Sequence, residues 1–174
     1  MLNNLVRLQY FPTALFSGIG TEFPVLRKDA WSLIFPAEMG ISERFEVEAA
    51  RPKISNEVKE IKYKNSYTKY KGPTKFENIS IKFRDVVGPA VMQKLWQWQR
   101  EHYDPVTGCG GYPSQYKKNL TLLLEDDCGN AVQKWIYYGC FIADLDGGAL
   151  DMNSTGDPVE TSMSIAYDYC VLSF

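Results

Sequence analysis

The sequence predicts a mainly β fold: a β-sandwich or partly closed barrel of about seven strands with one α-helix. Three observations carry that prediction. Apolar residues recur at every second position in several runs, above all Val159, Thr161, Met163, Ile165, Tyr167, Tyr169 and Val171. Aromatic residues make up 14% of the chain, which suits strands. A helical period occurs in one place only, between Val91 and His102.

The run from Val159 to Val171 poses the main question. Between its apolar residues stand Glu160, Ser162, Ser164, Ala166, Asp168 and Cys170. Alternation of faces makes this one strand, buried on one side and wet on the other. It is longer than an ordinary strand. Without partners along its length it leaves backbone donors and acceptors open to another chain. We expect sister molecules to supply them.

The totals narrow the class. A chain of 174 residues fits one domain with a sizeable core. Hydrophobic content of 45% with 23% charged residues argues for order. A net charge of −2 excludes a uniformly basic nucleic-acid binder. Cys109, Cys128, Cys140 and Cys170 are unevenly spaced with no Cys-x-x-Cys pair, so free thiols in a reducing compartment are expected. The apolar N-terminus is interrupted by Arg7, Gln9 and Pro12, unlike a signal peptide, and no run reaches the ~20 apolar residues of a membrane span.

In chain order, residues 1–28 are broken by Pro12, Gly18, Gly20 and Pro24 and read as an arm; residues 29–174 read as the domain. Ala30 to Phe35 is a short strand ended by Pro36. Arg44 to Ala49 alternates, with Phe45, Val47 and Ala49 on one face. Glu57 to Asn65 puts Ile61 and Tyr63 on one face among lysines. Lys75 to Arg84 puts Ile79, Ile81 and Phe83 opposite Ser80, Lys82 and Arg84. Both read as half-buried antiparallel strands. Pro89 then opens a helix. Its stripe is Val91, Met92, Leu95, Trp98, Gln99 and His102, and Asp104-Pro105 stops it. After a glycine-rich loop comes a hairpin. Leu120, Leu122 and Leu124 alternate on one arm, Asp127 to Asn130 turn, and Val132, Lys134, Ile136 and Tyr138 alternate on the other. A polar loop, Asp144 to Pro158, leads to the final strand.

Charge is polarised along the chain. Arg51, Lys53, Lys59, Lys62, Lys64, Lys69, Lys71 and Lys75 face only Glu57 and Glu60 in their segment. From Glu125 to Asp168, nine acids, among them Asp126, Asp127, Asp144, Asp146 and Asp151, face Lys134 alone. Three readings fit the basic segment. It is a solvated hairpin whose lysines block aggregation, or it meets an acidic surface on another copy in a repeating heterologous contact. Or it binds nucleic acid, with Tyr63, Tyr67 and Tyr70 as stacking platforms.

No catalytic set stands out. His102 is the lone histidine and sits on the helix's apolar side, so zinc sites and cysteine–histidine nucleophile pairs lack support. Gly108-Cys109-Gly110-Gly111 lacks the lysine and Ser/Thr of a P-loop. No metal or cofactor is expected.

One stretch has a family likeness. Leu95-Trp96-Gln97-Trp98-Gln99, then Thr107-Gly108, then Gly110-Gly111-Tyr112-Pro113-Ser114-Gln115-Tyr116-Lys117-Lys118 resemble the tail tube proteins of contractile-tailed bacteriophages. The turn of Asp127, Gly129 and Asn130 leading to Trp135, the closing Tyr167-Asp168-Tyr169, and Phe45-Glu46-Val47 followed by a Lys-rich hairpin resemble them too. Gly139-Cys140-Phe141 departs from the Trp-Pro type of segment expected after the hairpin. The resemblance covers 29–174. It implies a non-enzymatic subunit of hexameric rings stacked into a tube, with tail sheath, baseplate and tail-terminator proteins as partners. It implies a place in the virion after assembly in the host cytoplasm, and double-stranded DNA passing through the bore without specific binding. On that basis the basic hairpin (Lys53, Lys59, Lys62, Lys64, Lys69, Lys71) is expected to reach acidic loops of the next ring (Asp126, Asp127, Asp144, Asp146, Asp151). Glu160, Ser162, Ser164 and Asp168 are expected to line the bore. Tube initiators of the baseplate and secretion-machine tubes share this sequence logic. A monomeric β-sandwich binding module, with Tyr67, Tyr70 and Tyr112 as platforms, is the alternative from another class.

Overall fold

The computed structural model describes residues 26–88, 91–154 and 156–173. The expected fold class is what it shows: nine strands and one long helix among these residues. The strands are β1 (Trp31–Ile34), β2 (Glu46–Ala49), β3 (Ile54–Tyr63), β4 (Ser66–Phe76), β5 (Ile79–Arg84), β6 (Lys118–Glu125), β7 (Ala131–Asp146), β8 (Glu160–Ala166) and β9 (Tyr169–Ser173). The helices are α1 (Val91–His102) and the single turn α2 (Pro113–Tyr116). Pro89, the expected opener of α1, and residues 1–25 of the expected arm lie outside the described residues.

Seven strands form one antiparallel sheet in the order β1-β6-β7-β8-β5-β2, with β9 also on β7. Its two ends come together. The Leu33 amide on β1 donates to Glu46 Oε2 on β2 at 2.9 Å, yet no ladder joins these strands. The sheet is therefore curled but not closed. A cleft of about 530 Å³ marks the seam, with Trp31, Val47, Leu122 and Leu124 among its walls.

The core fills the inside of the curl. Ile79, Ile81 and Phe83 of β5, Leu120, Leu122 and Leu124 of β6, and Met163 and Ile165 of β8 are buried, as their alternation predicts. Val91, Leu95 and Trp98 of α1 lie against them, again as the helical stripe predicts. Trp98 Nε1 donates to the Tyr116 carbonyl at 2.7 Å, so α2 is tied to α1. Lys118 at the start of β6 is nearly buried between Glu38 and Glu101, at 3.1 and 2.9 Å. Burial alone would lower its pKa; hydrogen bonds to Glu101 and Glu38 outweigh that and leave it raised.

Three expectations are corrected. Val159 to Val171 is not one strand but two, interrupted at Tyr167 and Asp168. Both run along β7 in nearly one register, from Ser162 opposite Asp146 to Ser173 opposite Lys134. The burial phase inverts at the break. Thr161, Met163, Ile165 and Tyr167 are buried, whereas Tyr169 and Val171 are exposed. The cause lies on the partner strand. Gly139 has φ +67°, and a Cβ there would run into the Asp168 carboxylate. Only glycine allows this kink at such an approach. β8 is bordered on both sides, by β7 and β5, within its own chain. The expectation that sister molecules border this whole run is thus wrong for β8. Of the two strands of this run, β9 alone has a single ladder partner among the described residues.

The second correction concerns β2. A register shift between Glu46 and Glu48 turns Val47 outward, while Glu46 takes the Leu33 amide. The third concerns the basic segment. Lys75 to Arg84 is not one strand, and Glu57 to Asn65 is not half-buried. Instead β3 and β4 pair with each other in a separate two-stranded ribbon, and almost every residue of it is exposed.

Two tests follow from the core. Gly139→Ala should cost about 1–3 kcal/mol of stability in urea unfolding, because it forces a left-handed alanine against Asp168. The second concerns alkaline pH. Burial pushes the Tyr167 phenol and the Cys140 thiol each up to about 12, and raises the Tyr137 phenol too. Unfolded, these groups release their protons nearer their ordinary values, about 10 for tyrosine. Above that pH the folded state holds more protons than the unfolded one, so stability should fall as pH rises. Tyr137→Phe should flatten the decline of Tm between about pH 9 and 11.

Candidate assembly interface

The basic ribbon is the first candidate surface. Its origin is a continuation of the β2–β5 ladder. Glu48 pairs with Lys82 and Ala49 with Ile81, the Ala50 amide reaches the Ser80 carbonyl, the Glu77 amide reaches the Lys53 carbonyl, and Ile54 pairs with Phe76. Pro52, which has no donor, sits in the gap between the strands. The ribbon therefore leaves the main sheet at the Ile79 end of β5 and runs on for ten residues of β3, about 33 Å. A two-residue turn, Lys64-Asn65, closes it, with Lys64 at φ +54°.

The lysines of this segment do not act alike. Lys53 pairs with Glu77 at 2.7 Å at the root, and Lys69 pairs with Glu60 at 3.3 Å across the strands. Lys59, Lys62, Lys64 and Lys71 make no ion pair among the described residues.

The expected acidic partners separate into two groups. Asp126 and Asp127 sit in the β6–β7 turn, at one end of β7. Asp144 and Asp146 are at its other end, and Asp151 is in the loop that follows. Sixteen residues of β7 lie between the two ends, about 50 Å if straight. Asp126 is engaged in its own turn. Its Oδ1 accepts from the amides of Cys128 and Asn130, both at 2.8 Å, and the Asn130 side chain donates at 3.0 Å to Oδ2. That side chain, then the Asn130 amide, holds the carboxyl below the usual range. Asp127 takes a bond from Arg27 at 3.3 Å.

Position along the sheet distinguishes the two groups. Ile79, Ile165 and Ile142 lie side by side at the end from which the ribbon leaves. At the opposite end, Arg84 lies beside Glu160, and β7 finishes at Asp146. The loop 147–159 is attached there. It carries Asp151 and Asp157 and two almost fully exposed apolar side chains, Leu150 and Met152. Ribbon and loop thus occupy opposite ends of the same set of strands.

The second candidate surface is the outer face of β2, β5, β8 and the end of β7. Glu160, Ser162 and Ser164 do share it, as alternation predicts. The sequence reading missed their neighbours. Lys82 and Arg84 come from β5, Asp144 and Asp146 from β7, and Glu48 from β2, which bonds Lys82 at 3.2 Å. Asp168 falls beyond this row, at the β8–β9 break, where Lys117 Nζ holds it at 2.7 Å. The face is mixed in charge, with Glu48, Asp144, Asp146 and Glu160 against Lys82 and Arg84.

Comparisons decide what this architecture is like. No family model and no curated protein matches the sequence. Solved structures do. The tube-terminating cap of the anti-feeding prophage aligns with TM-score 0.69 and 14% identity over 90% of this chain and 95% of that one. A chain of the sheath/tube terminator of the PVC extracellular contractile injection system, in the extended state, gives 0.67 and 17%, over 88% and 99%. A chain of the PVC sheath–tube complex gives 0.61 and 17%, over 89% and 93%. This chain has the tube-protein fold. The likeness covers most of this chain and nearly all of each of the others.

Among the described residues no group of histidine, cysteine or acidic side chains could hold a metal ion, and the four cysteines are unpaired. His102 is packed against Tyr116 and Phe141, at ring distances of 4.7 and 5.7 Å, so it belongs to the helix–sheet contact.

Asp126→Ala tests the assignment of that acid to its own turn. Amide exchange at Cys128 and Asn130 should accelerate while exchange in the β7–β8 ladder stays unchanged.

Proposed function

We propose that this chain is a structural, non-enzymatic subunit of a contractile tail or injection tube, working as hexameric rings stacked on one another. The observation that carries this reading is the opposed placement of the basic ribbon and the acidic loop 147–159 on a tube-protein fold. Surfaces at opposite ends that complement each other make a heterologous contact, which repeats without closing on itself and so builds a column. Residues 29–174 form the assembling domain, preceded by the arm 1–28.

Within the column, Lys62, Lys64 and Lys71 of the ribbon approach Asp144, Asp146 and Asp151 of the neighbouring ring. Asp126 and Asp127 are not part of that contact, since they lie at the other end of β7. The outer face of β5 and β8 lines the bore, with Glu160, Ser162 and Ser164 joined by Asp144 and Asp146 and by Lys82 and Arg84, of which Lys82 is paired to Glu48. Acids outnumber bases on this face, so a polyanion slides past it, whereas a lining dominated by lysine would trap it by counterion release. In a phage tail the cargo is double-stranded DNA, and the partners are sheath, baseplate and terminator proteins, within the virion.

A second reading, a tube terminator that caps the column, is supported by the higher TM-scores of the two terminator structures, 0.69 and 0.67 against 0.61 for the sheath–tube complex. Negative-stain microscopy of the purified protein separates the two. Long stacked tubes identify the tube subunit, isolated rings the terminator or an initiator, and a monomer at every concentration refutes both. Lys62→Glu, Lys64→Glu and Lys69→Glu together should leave rings intact and abolish stacking at ordinary salt. Long tubes from that variant would show that charge does not direct the contact.

A further inference from the structure

The β3–β4 ribbon has two unlike faces, and register assigns every residue to one of them. Lys59 pairs with Tyr70, Ile61 with Thr68, and Tyr63 with Ser66, so these six share a face. Val58 pairs with Lys71, Glu60 with Lys69, and Lys62 with Tyr67 on the other. The first face carries Ile61, Tyr63 and Tyr70 beside Thr68 and Ser66, with one charge, Lys59. The second carries three of the lysines.

Among the described residues nothing covers the apolar side chains of the first face. Ile61, Tyr63 and Tyr70 are 58%, 67% and 52% exposed. A lone two-stranded ribbon is marginal in water, and its stability comes from packing on something else. The described residues of its own subunit do not provide that. The ribbon departs from the main sheet, and at the sheet's far end lies another uncovered apolar pair, Leu150 and Met152, 83% and 104% exposed. Those two flank Asp151 in the sequence, with Asp157 nearby. The ribbon matches this pattern. Lys59 stands within the apolar face beside Tyr70, and Lys64 stands at the tip, 5.6 Å from the Tyr63 ring.

We infer that the Ile61–Tyr63–Tyr70 face of the ribbon docks on the loop 147–159 of a second copy of this chain, with Leu150 and Met152 against the two tyrosines and Lys59 and Lys64 against Asp151 and Asp157. The inference rests on the stacked-ring reading and deepens it. Burial of the apolar face holds adjacent rings together, and the charges around it set the register. The lysines of the other face, Lys62, Lys69 and Lys71, lie away from the apolar contact, toward Asp144 and Asp146 of the neighbouring ring, and steer approach. Salt should therefore slow stacking more than it weakens the finished column.

Two measurements test this on the full-length protein. The first uses Tyr63→Ser with Tyr70→Ser, and separately Leu150→Ser with Met152→Ser. Each pair alters only exposed side chains, so circular dichroism should show an unchanged fold and microscopy should still show rings. The subunit concentration at which tubes appear should rise about tenfold or more, at high salt as well as low. The second measurement joins Tyr63→Cys to Met152→Cys in a background with Cys109→Ser and Cys128→Ser. Oxidised tubes should give a ladder of covalent oligomers, which neither single cysteine gives. No ladder in a double-cysteine protein that still forms tubes overturns the proposed pairing. Stacking that survives both serine pairs overturns the claim that the apolar face holds the rings. In either case wild-type tubes keep the stacked-ring reading standing. A wild-type protein that never stacks removes that reading, and this inference with it.

Discussion

The subunit depends on a single strand that serves two half-sheets. β7 carries β6 and β9 along its first half and β8 along its second, so every other strand of the main sheet is hydrogen-bonded to it directly or through one neighbour, and only β2 through two. A strand of sixteen residues does this by bending, and the bend is placed at Gly139. The bend also moves Tyr167 inward, edge-on to Tyr137 at 5.1 Å, so the core is continuous across the junction. Without that kink the two halves would form one long flat sheet, whose apolar face could not be wrapped around itself and α1.

That dependence explains what was legible in the sequence. The buried faces of β5, β6 and β8 and the stripe of α1 could be read off because each is set by local periodicity against a common core. The break at Tyr167 and Asp168 could not. Nothing in Val159 to Val171 announces it, since the cause is a glycine on a strand twenty-nine positions earlier. The closeness in sequence of Asp127 and Asp144 misled for the same reason. Both read as acidic loops, but what joins them is the longest strand among the described residues, which holds them apart.

The ribbon is the reverse case. Ile61 and Tyr63 alternate with lysines as they would in a half-buried strand, and the pattern is genuine. The inference from pattern to burial fails because no partner for that face lies among the described residues. Of the proposed lining, Glu160, Ser162 and Ser164 share a face, whereas Asp168 falls outside it at the kink. The acids of β7 that complete this face could be assigned only once the register of β7 on β8 was known.

Topology also supplies a polarity. The ribbon is an extension of the β2–β5 ladder, so its direction is fixed by the same register that places Ile79 beside Ile165. The loop 147–159 is fixed at the opposite end by the finish of β7 and the start of β8. Neither can be moved to the other's end without reversing the order of strands. Two copies meeting through these surfaces must therefore point the same way. A face-to-face pair would bring ribbon to ribbon, setting Lys62 and Lys71 against their own counterparts, which like charge opposes. On the proposed ribbon–loop contact, complementary surfaces at opposite ends and repulsion between identical ends add copies in one direction, and a column is the form that results.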